Sequence, residues 1–172
     1  MYPANTEQLV QPVTLAYKEY TLTTDRALLQ PNAIHEWLTT ESYWAKGIPY
    51  DLVKTSFDHS FVFGALYEQQ QVAYGQLIAD YATFGYLADV YVLEPHRGRG
   101  LSKQMMQLMM AQPWVKGLRR LMLATLDAGG LYEQFGFTAP VFPQRLMEIT
   151  RPKIYETRAE DAVAATPVSP KP

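Results

Sequence analysis

Asp89-Val90-Tyr91-Val92-Leu93-Glu94-Pro95-His96-Arg97-Gly98-Arg99-Gly100-Leu101-Ser102-Lys103 reads as strand, glycine loop and helix. Gly98 and Gly100 let the backbone bend and come close to a ligand, so that successive amides from Gly98 to Lys103 can converge on a phosphate. The helix starting there adds roughly half a positive charge through its dipole. A pyrophosphate fits that geometry and charge. Two named phosphate loops fail on spacing: Gly-x-x-x-x-Gly-Lys-Ser/Thr is absent, and Gly-x-Gly-x-x-Gly meets lysine at position 103. A Gly-x-Gly before a helix is also compatible with a plain tight turn.

Outward from this stretch, strand-like and helix-like segments alternate, which argues for an α/β layered sheet. Upstream, Val13 to Thr23 reads as one strand, with Val13, Leu15 and Tyr17 alternating against polar neighbours. Pro31 suits a first helical turn, with Ile34, Trp37 and Leu38 on one face, and Pro49 opens a second short helix. Phe61 to Tyr67 and Val72 to Ile78 form a hairpin around Glu68-Gln69-Gln70-Gln71, and Phe84 to Leu93 is a longer strand. Downstream, Leu101 to Gln112 is a helix stopped by Pro113. Arg119 to Ala124 is a strand, Gly130 to Phe135 a short helix ended by Gly136, and Leu146 to Ile149 a last short strand.

The chain has 172 residues, of which 48% are hydrophobic and 19% charged, an ordinary globular balance for one domain. With no cysteine there is no disulfide framework, no thiolate metal site and no cysteine acyl-enzyme. No apolar run approaches the ~18 residues of a membrane span. The start Met1-Tyr2-Pro3-Ala4-Asn5 is unlike a signal peptide, which with the missing cysteines points to the cytoplasm. Between Pro95 and Leu126 stand six basic residues (Arg97, Arg99, Lys103, Lys116, Arg119, Arg120) and no acidic one, so the formal charge of −2 leaves −8 on the remainder. A locally basic segment in an acidic protein suggests a specific anion site. Residues 1–12 and 153–172 are expected to be loose, around a domain spanning 13–152.

Arg97-x-x-Gly100-x-Ser102 resembles the Arg/Gln-x-x-Gly-x-Gly/Ala signature with which the GNAT superfamily of N-acetyltransferases holds the pyrophosphate of acetyl-CoA. Ser102 departs from the last position. Ala128-Gly129-Gly130-Leu131-Tyr132-Glu133-Gln134-Phe135-Gly136-Phe137 resembles the family's Ala-x-x-x-Tyr-x-x-x-Gly-Phe segment at the expected distance downstream. The resemblance covers about residues 13–152 and is closest to small bacterial-type members. It implies an α/β (α+β) fold with a mixed, mostly antiparallel sheet of about six or seven strands and about four helices. The sheet is expected to splay between the strand ending near Leu93 and that from Arg119 to Ala124, to admit the pantetheine arm. The cosubstrate implied is acetyl-CoA, contacted by Val90, Tyr91, Val92, Arg97, Gly98, Arg99, Gly100, Leu101, Ser102 and Lys103, and by Thr125 where many relatives carry asparagine.

Acetyl transfer to an amine needs a free amine, support for the oxyanion and a proton for the departing thiolate. Asp89 is the first candidate for removing the ammonium proton, ahead of Glu94 and Asp80; a structural carboxylate is the competing account. A strand amide near Val92 is the oxyanion donor that the resemblance implies, and Tyr132 the acid for the thiolate. Trp37, Tyr43, Trp44, Tyr50, Tyr81 and Phe84 offer rings for a core or for an acceptor pocket. His35, His59 and His96 lack metal-ligand spacing, and no metal is implied. Met106 and Met110 lie off the main face of their helix, where they extend the core or meet a second copy in a homodimer. The function expected is transfer of an acetyl group from acetyl-CoA to a primary amine of a small molecule, by direct attack in a ternary complex. A CoA-binding regulator without catalysis is the alternative. A nucleic-acid module ranks last, since Arg97 to Arg120 holds Trp114 as its one aromatic.

Overall fold

The computed structural model describes residues 10–155. In chain order these form β1 (Thr14–Tyr17), β2 (Tyr20–Thr23), α1 (Pro31–Thr40), α2 (Tyr50–His59), β3 (Phe61–Tyr67), β4 (Gln70–Ala79), β5 (Phe84–Val92), α3 (Leu101–Met110), α4 (Pro113–Lys116), β6 (Arg120–Leu123) and α5 (Gly129–Glu133), with short 3-10 turns at Arg26–Leu28, Glu94–His96 and Pro143–Arg145. The strands make one sheet in sequential order, β1 to β5 antiparallel and β6 parallel to β5. This is the mixed, mostly antiparallel α/β sheet expected from the sequence, with six strands and five helices among the described residues.

Side-chain alternation on β3 to β5 separates two cores. Phe61, Phe63, Leu77, Leu87 and Val92 pack with Leu101, Met105 and Met109 of α3 on one face. Val62, Tyr74 and Tyr91 pack with Ile34 and Leu38 of α1 and with Val53 and Phe57 of α2 on the other. Each of the two covering helices on this second face buries an i, i+4 pair, at roughly 1.5–3 kcal/mol per fully buried side chain. Met106 is fully buried and Met110 packs at the edge of the first core, so this pair extends the core.

Three sequence expectations are corrected. The run from Val13 to Thr23 is a hairpin, because Lys18 takes φ 51 and turns the chain so that Tyr17 faces Tyr20. Pro113 opens a separate one-turn helix after α3 has ended at Met110. Leu146–Ile149 forms no strand: it pairs with no described strand, and its side chains are exposed. Alternation alone cannot supply a hydrogen-bonding neighbour. The expectation of loose ends falls mainly on residues 1–9 and 156–172, which lie outside the described residues. Tyr155 packs against the second core.

Two irregularities shape the sheet. β6 pairs with β5 only from Phe84↔Arg120 to Leu87↔Leu123, so residues 88–92 of β5 have no partner strand on that side among the described residues. The register between β4 and β5 slips between Tyr74 and Gln76, opposite Asp89, which sits at φ 53. A bulge with a left-handed residue re-aims the side chain it carries.

Close packing at Gly64 gives a direct stability test. A Cβ there meets the Ala73 carbonyl oxygen at 2.6 Å and Leu29 Cδ2 at 2.8 Å. Gly64→Ala is expected to cost about 1–3 kcal/mol through overpacking, read as a lowered midpoint in urea unfolding with an unchanged slope.

Candidate functional site

The loop after β5 is built for close approach. Gly98 and Gly100 hold φ of 72 and 88, a region that disfavours any side chain, and a Cβ at Gly98 meets nothing within 4 Å. The first amide of α3 to bond within the helix is that of Gln104, which donates to the Gly100 carbonyl at 3.1 Å. The amides of Leu101, Ser102 and Lys103 precede it and are unspent by the helix. A phosphate group fits this cradle of small residues, free amides and helix dipole.

The hairpin β1–β2 ties the loop down. The Tyr17 hydroxyl donates to the Arg99 carbonyl at 3.1 Å and Lys18 Nζ to the same oxygen at 3.2 Å, while the Arg99 guanidinium pairs with Glu19 at 2.8 Å. Arg99 thus anchors the loop, and Arg97 donates through Nε to the Val92 carbonyl at 3.0 Å. Arg97 still has its terminal nitrogens for an anion. Lys103 is exposed, Ser102 half-buried, and Leu101 buried in the core, so at Leu101 only the backbone is on offer.

At the splay, Leu93 donates its N–H to Val72 of β4 at 2.8 Å. Strand alternation turns the N–H of Val92 the other way, toward the side where β6 has left the sheet. Val90 packs on the first core, and Tyr91 points to the opposite face, stacked on Trp37 at 4.1 Å with its hydroxyl held by Gln71 at 3.0 Å. Tyr132 of α5 is 8% exposed in the first core, against Phe137, and its hydroxyl bonds no described residue. Burial and the nearby Asp127 charge raise its pKa, so the phenol keeps its proton at neutral pH. Thr125 is exposed and accepts the Ala128 N–H at 3.1 Å at the entry to α5.

On the other face, Asp89 lies in a cavity of about 330 Å³ between α1, α2, β4 and β5. Its carboxylate accepts from Trp44 Nε1 at 2.8 Å and Gln76 Nε2 at 2.6 Å. Gln76 Oε1 in turn accepts from the hydroxyls of Ser56 at 3.2 Å and Tyr74 at 3.3 Å. Burial raises the Asp89 pKa above the ordinary aspartate value, and the two hydrogen bonds only partly offset this. Burial, followed by the Asp89 charge, also holds the Tyr74 phenol protonated as a donor.

The other carboxylates weighed from sequence do different work. Asp80 caps the β4–β5 turn, accepting from the amides of Ala82, Thr83 and Phe84 and from the Thr83 hydroxyl, and these bonds hold its pKa far below the usual range. Glu94 is exposed at the turn after β5. His35, His59 and His96 bond to the Ile48 carbonyl, the Thr55 carbonyl and the Tyr20 hydroxyl respectively. Among the described residues no group of three or more His, Asp or Glu is placed to hold a metal ion, and no helix is long and apolar enough to cross a membrane. Trp114 is 2% exposed and cannot stack on a nucleobase. A second hollow of about 520 Å³, beside Arg26, Asp58 and His59, contains no residue of the two motifs.

Sequence reasoning missed Gln76, Ser56 and Tyr74. A signal was available: Tyr74, Gln76 and Ile78 share one face of β4, and a glutamine between apolar residues on a central strand calls for a buried partner. Trp44→Phe removes one donor to Asp89 and is expected to raise its pKa further, visible as an upward-shifted titration of the Asp89 carboxyl carbon by NMR. Gln76→Leu is expected to act in the same direction.

Comparison with known proteins matches this geometry to a family. Residues 31–137 match the acetyltransferase (GNAT) family model. A Gibberella zeae protein classed by name among acetyltransferases is 32% identical over 145 residues, covering 72% of this chain and 81% of that protein. A solved GNAT-family structure from Xanthomonas campestris pv. campestris is 49% identical, superposes with a TM-score of 0.78, and covers 81% of this chain and 99% of that one. An acetyltransferase-class structure from Clostridium acetobutylicum, solved with acetyl-CoA, shares the fold at 17% identity and a TM-score of 0.54, covering 76% of this chain and 94% of that one. With the matched model spanning most of the sheet, the splay and the glycine loop, the chain belongs to the GNAT family of acetyltransferases.

Proposed function

We propose that this acetyltransferase uses acetyl-CoA to acetylate a primary amine of a small molecule, by direct attack in a ternary complex. The observation that carries it is a half-buried carboxylate, Asp89, opening onto a cavity on one face of the splayed strand, with a glycine loop and a protonated Tyr132 belonging to the other side. The family uses acetyl-CoA as acyl donor. In this chain the amides from Gly98 to Lys103, with Arg97, are suited to its pyrophosphate, and the gap beside residues 88–92 to its pantetheine arm.

An alkylammonium with a pKa near ~10.4 must lose a proton before it can attack. Asp89 takes that proton, directly or through water, and its raised pKa brings it closer to the operating pH than an ordinary aspartate. The amine lone pair then forms the C–N bond, and the carbonyl oxygen gathers charge that the Val92 N–H can meet. As the C–S bond breaks, Tyr132 gives its proton to the sulfur. The second proton leaving nitrogen restores the balance, so one proton is released to solvent per amide formed. With no cysteine in the chain, a thioester on the enzyme is not available, which favours the direct route.

The pH profile follows from the sign of the Asp89 shift. Below its raised pKa the base is protonated, so kcat/KM falls tenfold per pH unit on the acidic side, and Asp89→Asn lowers kcat by about 10²–10⁴ and removes that limb. Tyr132→Phe is expected to lower kcat by a similar factor while the acetyl-CoA Kd, read by calorimetry, moves less than threefold. Gly100→Ala, whose Cβ meets the Tyr17 hydroxyl at 2.9 Å with φ at 88, is expected to raise the KM for acetyl-CoA at least tenfold and to leave kcat nearly unchanged. Binding of acetyl-CoA without turnover of any amine tested is the result expected of a non-catalytic regulator.

A further inference from the structure

The cavity beneath α1 and α2 also carries information about the acceptor. Among its described lining residues Asp89 is the one charged side chain. No described lysine, arginine or histidine lines it, so a carboxylate or phosphate on the acceptor finds no counter-charge among these residues and instead faces Asp89. Among the described residues no second carboxylate lines it either, so a second ammonium is desolvated without a partner there.

Apart from the Tyr155 hydroxyl, the remaining polar side chains of the wall are already committed. Ser56 and Tyr74 donate to Gln76, and Gln76 donates to Asp89, so their hydrogen bonds run along the wall. What the wall presents is apolar: Ile34, Leu38, Ile48, Leu52 and Val53. At the carboxylate end stands Trp44, 44% exposed, with Tyr43 edge-on against it at 4.8 Å. The indole N–H is fixed on Asp89 at 2.8 Å, which holds the ring beside the carboxylate as part of the apolar rim. The cavity volume of about 330 Å³ equals that of roughly eleven waters at ~30 Å³ each, room for a single ring or a short alkyl chain.

Resting on the acetyltransferase reading above, we propose that the acceptor is a monoamine with a compact apolar body, an arylalkylamine or alkylamine without a carboxylate, phosphate or second ammonium, seated in the α1–α2 cavity with its nitrogen at Asp89. Amino acids, sugar phosphates and polyamines are then poor acceptors. The discrimination comes from the missing counter-charges more than from shape, since a buried unpaired charge is costly while a methylene more or less is a small matter.

The test compares matched amines with full-length protein and acetyl-CoA: phenethylamine against phenylalanine, which adds one carboxylate, and hexylamine against spermidine, which adds charge. The expected kcat/KM favours phenethylamine and hexylamine by at least 100-fold. Preference for phenylalanine or spermidine overturns the acceptor class and leaves the acetyltransferase reading standing; failure to bind acetyl-CoA, measured separately by calorimetry, overturns the reading beneath. A designed switch adds a second readout. Ile78 lines the cavity and is 45% exposed, so Ile78→Glu places a second carboxylate at the rim with little cost to packing. It is expected to raise kcat/KM for spermidine at least tenfold while phenethylamine changes less than threefold. An unchanged ratio in a folded Ile78→Glu protein means that the acceptor does not sit in this cavity.

Discussion

The parallel ladder between β5 and β6 stops at Leu87↔Leu123, and the site depends on that stop. Past it, Ala88, Tyr91 and Val92 of β5 stay paired with β4 across the bulge at Asp89 and Val90, and the strand has no described neighbour on the other side. In a protein interior unpaired backbone groups are costly, and the proposed function has the acyl donor meet them here. The Arg97 side chain meets the Val92 carbonyl, and the Val92 N–H faces the gap. The glycine loop and the free amides of α3 follow directly from the end of the same strand, so in the proposed reading one interrupted strand sets the direction of the acyl donor.

The bulge opposite Tyr74 and Gln76 joins the two faces. Asp89 at φ 53 turns its side chain out of the regular alternation and into the α1–α2 layer, where Trp44 and Gln76 fix both carboxylate oxygens. A non-glycine residue in that conformation carries strain, and such strain persists where the surroundings over-determine it. Here they do: the Gln76 side chain is braced by Ser56 and Tyr74, and the aromatic chain Tyr43, Trp44, Trp37 and Tyr91 packs ring to ring beside it. The carboxylate is therefore positioned and partly desolvated at once, the two conditions a general base requires.

Local features were the legible ones. Gly98 and Gly100 announce a bend that no other residue type makes easily, and the apolar periodicities of α1 to α3 and β3 to β5 are strong because each element buries a face. The pattern spanning Ala128 to Phe137 singles out Tyr132, though its burial is a tertiary fact. What escaped depended on partners distant in the chain. The turn at Lys18 uses a residue with no turn preference, so alternation ran through it. Leu146 to Ile149 carries strand chemistry without a strand to pair with. Gln76 meets Asp89 across a register slip that neither sequence segment betrays, and Trp44 reaches the same carboxylate from 45 residues away. Arg99 pairs with Glu19, and its carbonyl is clamped by the hairpin, partners that lie far away in the chain.

The central claim is that one splayed strand and its loop hold the acyl donor. Backbone amide NMR during titration with desulfo-CoA, which binds without reacting, tests it most directly. The account predicts that saturation shifts the amides of Val90, Val92 and Gly98 to Lys103 together with Tyr132, and leaves the turn held by Asp80 unmoved. Saturable binding that shifts other amides and spares these, or no binding at all, contradicts it.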